Sequence, residues 1–128
     1  MLRGMATVSY FADDHEAAKE WYAEFLGIEP YFQRPGYAEF RVGDHQHELG
    51  LIDRKYVPES RGGASGEIVY WHVDDLEAAV ARLHELGAKE HEPITERGPG
   101  FVTASVVDPF GNVLGVMSNA HYLAMLAR

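Results

Sequence analysis

Polar and apolar residues alternate over short stretches, then apolar residues recur at three- and four-residue spacing, and this switch happens twice along the chain. Ala6 to Ala12 predicts a first strand. From His15 to Leu26, the residues Ala18, Trp21, Tyr22, Phe25 and Leu26 share one helical face. Asp13-Asp14 offers that helix an N-cap carboxylate, and Gly27 ends it. Ile28 to Gln33 is interrupted by Pro30 and predicts a weak edge strand. Tyr37 to Val42 and His47 to Asp53 predict two more strands, turned at Gly43-Asp44. The polar stretch from Arg54 to Gly66 contains Pro58, Ser60, Gly62-Gly63 and Ser65-Gly66 and reads as a linker.

The order then repeats. Ile68 to Val73 predicts a strand, and Asp74-Asp75 caps a helix whose apolar face is Leu76, Ala79, Val80, Leu83 and Leu86, ended by Gly87. His91 to Thr95, with Pro93, predicts another weak edge strand; Gly100 to Val106 and Val113 to Met117 predict the last two. Overlaid, Asp14 falls on Asp75, Leu26-Gly27 on Leu86-Gly87, Gly36-Tyr37 on Gly100-Phe101, and Leu49-Gly50 on Leu114-Gly115. The chain therefore reads as an α+β protein of two βαβββ units, 5–53 and 67–118, joined by 54–66. Residues 119–128 form a tail, weakly helical from Asn119 to Ala127.

The most informative stretch is the hairpin from Val106 to Val116. Asp108-Pro109 opens a turn, and Gly111-Asn112 can both take positive φ. With the repeat and the acidic pair before each helix, Asp108-Pro109-Phe110-Gly111-Asn112 resembles the D-P-x-G-N-x-x-E-L hairpin of the vicinal oxygen chelate superfamily (glyoxalase I, bleomycin-resistance proteins, extradiol dioxygenases). The resemblance covers nearly the whole chain. It implies a curved mixed sheet around a cavity. It also implies four metal-ligand positions, filled by His, Gln or Glu in the metal-dependent members. Carried over, these positions hold Thr7, Gly50, Ile68 and Gly115. Gly and Ile carry no side-chain donor, and a neutral Thr is a poor ligand. The expectation is no metal and no cofactor.

Composition narrows the function. The 128 residues carry 20 acidic and 11 basic side chains, a formal net charge of −9, which argues against nucleic acid. The absence of cysteine excludes disulfides, thiolate metal sites and a cysteine nucleophile, and is compatible with the cytoplasm. No stretch has the roughly 20 apolar residues of a membrane span, and Met1 to Met5 is too short for a signal peptide. A homodimer is expected, because small two-unit relatives commonly pair.

Alternation assigns the strand faces. Val8, Tyr10 and Ala12, and later Val69, Trp71 and Val73, are expected to face the helices. Glu48, Gly50, Ile52, Tyr37, Glu39 and Arg41 face the other way, as do Phe101, Thr103, Ser105, Val113, Gly115 and Met117. The candidate ligand-binding residues are Phe11, Tyr37, Glu39, Arg41, Glu48, Tyr70, His72, Phe101, Ser105 and Met117. Phe11, Tyr37, Tyr70 and Phe101 are either inter-sheet packing or an aromatic lining. Glu39, Arg41 and Glu48 are either internal ion pairs or a patch for a charged group. His72 is a candidate general base, ligand donor or displaced metal ligand, or a histidine satisfied by a neighbour. His15 and His121 read as exposed. Two function classes follow: a metal-free protein that sequesters a drug or metabolite, or a lyase, isomerase or dioxygenase using a displaced metal or His72. A pure interaction module is a third.

Overall fold

A computed structural model describes residues 3, 5–56 and 68–128, in two compact units, Met1–Ala64 and Ser65–Arg128. The division falls inside the expected linker. Its glycine-rich part, 57–67, lies outside the described residues.

The first unit runs β1 (Thr7–Ala12), α1 (His15–Leu26), β2 (Phe32–Arg34), β3 (Tyr37–Val42) and β4 (His47–Asp53), followed by a 3₁₀ turn at Arg54–Tyr56. Its mixed sheet has the order β1-β4-β3-β2, with β1 parallel to β4 and the other pairs antiparallel. The second unit repeats this with β5 (Val69–His72), α2 (Leu76–Glu85), β6 (Lys89–Gly98), β7 (Phe101–Val107) and β8 (Val113–Asn119). Its order is β5-β8-β7-β6, and α3 (Ala120–Leu126) follows. The α+β architecture of paired βαβββ units is as the periodicity predicts. Among the described residues no helix is long and apolar enough to cross a membrane.

Local chemistry explains the element ends. Asp14 and Asp75 each accept the main-chain N–H three residues on, at 3.0 Å, so each helix has one of its orphan donors satisfied. In the first unit Val8, Tyr10, Ala12, Ala38, Phe40, Leu49 and Leu51 are buried and α1 packs on β1, β3 and β4. Tyr22 from α1 is buried with them, its ring 5.9 Å from that of Tyr10. In the second unit Leu76 and Leu83 of α2 are buried along with Ala104, Val106, Leu114 and Val116.

Several elements differ from expectation. The strand expected over Ile28–Gln33 shrinks to Phe32–Arg34, because Pro30 has no N–H for the ladder. The strand expected over His91–Thr95 instead covers Lys89–Gly98. As an edge strand with register shifts, it accommodates Pro93. His15, expected to be exposed, is 6% exposed and bonds the Leu51 carbonyl through Nε2 at 3.0 Å. Gly111 has φ +93°, but Asn112 is not in the left-handed region and serves the turn through hydrogen bonds instead. Gly36 and Gly100 keep equivalent turn positions, yet counted from Gly50 and Gly115 the β7–β8 ladder runs two residues further at that end. Tyr37 opposes Ile52, and the equivalent pair is Thr103 with Met117, not one containing Phe101.

Candidate functional site

On the face of the first sheet away from α1, the ladder sets three rows. They are Thr7–Glu48–Arg41, Ser9–Gly50–Glu39 and Phe11–Ile52–Tyr37. Glu39 and Glu48 are diagonal neighbours on adjacent strands, close enough for long side chains to meet. Tyr31, just before β2, joins them. Its hydroxyl bonds Glu48 Oε2 at 2.8 Å and also Glu39 Oε2. Tyr37 donates its hydroxyl proton to Glu39 Oε1. The Arg41 guanidinium lies 4.1 Å from the centre of the Tyr31 ring, a cation–π contact. Phe32 flanks both tyrosines, with ring centres 6.4 Å from Tyr31 and 6.3 Å from Tyr37.

A phenol has one proton to donate, so Tyr31 cannot satisfy both carboxylates at once, and the bridge is complete when one carboxyl is protonated. Glu39 is raised above the ordinary carboxyl range, first by burial, then by the charge of Glu48, and also by their shared hydrogen bond; Arg41 opposes this. Tyr37 is raised as well, by burial and then by Glu48, so its hydroxyl stays a donor. Such a group of carboxyls and phenols can hold or pass a proton, or receive a cationic group beside an aromatic ring. Two open clefts of the same unit, about 340 and 580 Å³, are lined by other residues, among them Lys19 and Glu29 in one and His15 and Gly36 in the other.

The corresponding face of the second sheet has the rows Tyr70–Gly115–Ser105 and His72–Met117–Thr103. Ser105, 1% exposed, bonds His91 Nδ1 at 2.8 Å. Thr103 accepts from Arg97 Nε at 3.1 Å, and Arg97 pairs with Glu92 at 2.7 Å. His72 has a side chain 9% exposed; Nδ1 accepts the Asn119 N–H at 3.1 Å and the ring stacks on Tyr122, centres 4.8 Å apart. Its Nε2 makes no hydrogen bond among the described residues; Asp74 Oδ1 stands 3.5 Å away. Phe101 is exposed at the end of the ladder, opposite Asn119.

Two sheets of order 1-4-3-2 with a parallel outer pair, repeated in tandem, are the frame the hairpin motif suggests. Residues 4–116 match the profile described as Glyoxalase/Bleomycin resistance protein/Dioxygenase superfamily. The chain belongs to that superfamily. No curated protein matches it significantly. Among solved structures it is similar to a lactoylglutathione lyase from Agrobacterium tumefaciens, with 23% identity, TM-score 0.68, and 91% of this chain and 93% of that one covered. A glyoxalase-related enzyme from Fulvimarina pelagi gives 20% identity and TM-score 0.69, covering 91% and 88%. The bleomycin resistance determinant encoded on transposon Tn5 gives 23% and 0.63, covering 92% and 99%. These likenesses show a shared fold.

Ladder register puts Ser9 opposite Gly50 and Tyr70 opposite Gly115, so Thr7 and Ile68 each stand two residues before an equivalent position, as the repeat requires. The Thr7 hydroxyl donates to the Glu48 main-chain carbonyl at 3.2 Å. The other three positions have no side-chain donor at all. Among the described residues no group of three or more His, Asp or Glu is placed to hold a metal ion. The donor set does not fit the superfamily's metal.

Of the sequence candidates, Tyr37, Glu39, Arg41 and Glu48 come together. Phe11 shares the Tyr37 row through Ile52, and Tyr70, Ser105 and Met117 surround Gly115 in the other unit. Sequence reasoning missed Tyr31, which it placed in the weak edge strand Ile28–Gln33 without assigning it a face; it stands just before β2, and its N–H bonds the Glu39 carbonyl at 3.0 Å. It also missed His91, whose partner Ser105 lies on the neighbouring strand β7.

Proposed function

We propose that this chain is a metal-free small-molecule-binding member of the superfamily, which sequesters a drug or metabolite on the first sheet. The observation that carries the reading is the Tyr31–Glu39–Glu48–Tyr37 group, standing beside Gly50 where relatives place a metal ligand. Its chemistry favours a ligand with a cationic or hydrogen-bond-donating group next to a planar body. The same proton-holding group supports a second reading, an acid–base enzyme of the same superfamily. His72 is less suited to that role, because its Nδ1 is already occupied in accepting from Asn119.

Thermal-shift screening tests the reading, with bleomycin and planar aromatic cations as probes. A ligand at 100 times its Kd adds about 2.7 kcal/mol of stability by mass action. We expect a shift that Glu48→Gln and Tyr31→Phe diminish. A shift unaffected by both would place the ligand elsewhere. Turnover of 2-oxoaldehyde hemithioacetals or of catechols with added Zn²⁺, Ni²⁺, Fe²⁺ or Mn²⁺ would replace the binding reading with the enzymatic one. We also propose a cytoplasmic homodimer. Light scattering at micromolar concentration should give twice the chain mass of 14.3 kDa, and a monomer mass throughout would overturn it.

A further inference from the structure

The two glycines at the superfamily's carboxylate-ligand positions each lie under a tyrosine. A Cβ built on Gly50 would stand 3.0 Å from the Tyr37 hydroxyl oxygen and 3.1 Å from Cε1 of the same ring. A Cβ on Gly115 would stand 2.5 Å from Tyr70 Cδ1, 2.9 Å from Cε1 and 2.7 Å from the Val69 carbonyl oxygen. Carbon atoms pack best about 3.5–4.0 Å apart, so Gly115 has no room for a side chain as it stands, and at Gly50 the Tyr37 ring would have to give way slightly.

The two contacts arise differently. Tyr70 sits on β5 and is the direct parallel-ladder partner of Gly115. Tyr37 sits on β3, is paired with Ile52, and reaches Gly50 diagonally. Each unit has therefore placed an aromatic ring on its glycine from a different neighbouring strand. The consequences also differ. At Gly50 the obstacle is the far end of a tyrosine, which can swing, although that end is held by Glu39. At Gly115 one obstacle is main chain, the Val69 carbonyl, which cannot move without disturbing β5.

We infer that tyrosine rings have taken over the superfamily's metal-ligand positions in both units, so that steric closure and not only the loss of carboxylates keeps a metal out. The glycines seat those rings, because a side chain at either position would press on the tyrosine. The exchange puts a phenol hydroxyl, Tyr37 Oη, directly over the strand where a metal-dependent relative presents a carboxylate. This inference does not depend on which small molecule binds.

The test is a double-mutant cycle in the first unit and a single substitution in the second, both read by urea unfolding, together with calorimetric titration by Ni²⁺ alone. Gly115→Ala should lower the unfolding midpoint clearly. Gly50→Ala should lower it less, and in a Tyr37→Ala background it should lower it hardly at all, because the ring is gone. Gly50→Glu, whose obstacle is the movable one, gives a folded chain for titration, and it should take up no stoichiometric Ni²⁺. Equal midpoints for Gly115→Ala and wild type would overturn the inference. So would a Gly50→Ala cost that persists without the Tyr37 ring, or one Ni²⁺ per chain bound by Gly50→Glu with Tyr37 in place.

Discussion

Asp108 makes the hairpin turn, and replacing it should cost more than any surface substitution. It is 3% exposed. Oδ1 accepts the Phe110 N–H at 2.9 Å and the Asn112 N–H at 2.8 Å, and Oδ2 accepts Asn112 Nδ2–H at 3.0 Å. The Asp108 N–H donates to the Asn112 carbonyl at 2.9 Å, and its carbonyl accepts the Gly111 N–H at 3.2 Å, so the side chain completes a turn that the main chain begins. Asp108→Ala removes three accepted hydrogen bonds and leaves two main-chain donors without them. Hydrogen bonds to a charged group contribute about 1.5–3 kcal/mol each. Phe110 and Asn112 are half-buried, so water recovers part of that loss. The net cost should be about 2–4 kcal/mol, with Asp108→Asn costing about 1–2 because its carbonyl oxygen can still receive both N–H groups. Urea unfolding followed by far-ultraviolet circular dichroism reads this as a lower midpoint at unchanged slope. An Asp108→Ala protein within ~0.5 kcal/mol of wild type, or an Asp108→Asn protein less stable than it, would refute the reasoning.

Glu39→Gln should gain stability relative to wild type as pH rises. The wild-type carboxyl is raised in the folded state, so its contribution is full below the ordinary value of 4.5 and is lost as pH climbs through the folded value. Urea midpoints of both proteins at pH 4.5 and at neutral pH check this; a difference between them that does not change with pH would contradict it. His15→Ala should cost about 2–3 kcal/mol, because it removes a buried ring and leaves the Leu51 carbonyl without that donor. Thermal unfolding would show this as a lower Tm, and an unchanged Tm would mean that the contact contributes nothing.

The sheet faces were legible because strand periodicity is strict. Leu49 and Leu51, with Ala38 and Phe40, had to lie on one side once Gly50 and Glu39 lay on the other. The helix starts were legible because a carboxylate at the N-cap has one local job, as Asp14 and Asp75 show. The glycines at the ligand positions could be located by counting within the repeat, but the tyrosines covering them could not, since which ring lies over a glycine depends on the neighbouring strands. His15 was misread because its partner, Leu51, lies 36 residues away. Alternation grouped His72 with Met117 and Thr103, the row it occupies. That α3 would bring Tyr122 over its ring depends on packing that no local pattern encodes. The length of β6 was missed because Pro93 weighs against a strand, yet this is an edge strand whose register shifts admit it.

Central to the reading is that Thr7, Gly50, Ile68 and Gly115 offer at most one weak ligand donor, and metal content tests that most directly. Protein purified without a histidine tag should be dialysed against Zn²⁺, Ni²⁺, Fe²⁺ and Mn²⁺ in turn, then against buffer, and its metal measured by elemental analysis. The account predicts substoichiometric metal throughout, with any weak uptake abolished by replacing His45 and His47, whose rings lie 5.9 Å apart at the β3–β4 turn. One metal per chain that survives that replacement, and is lost when His72 and Glu48 are replaced by Ala, would contradict it.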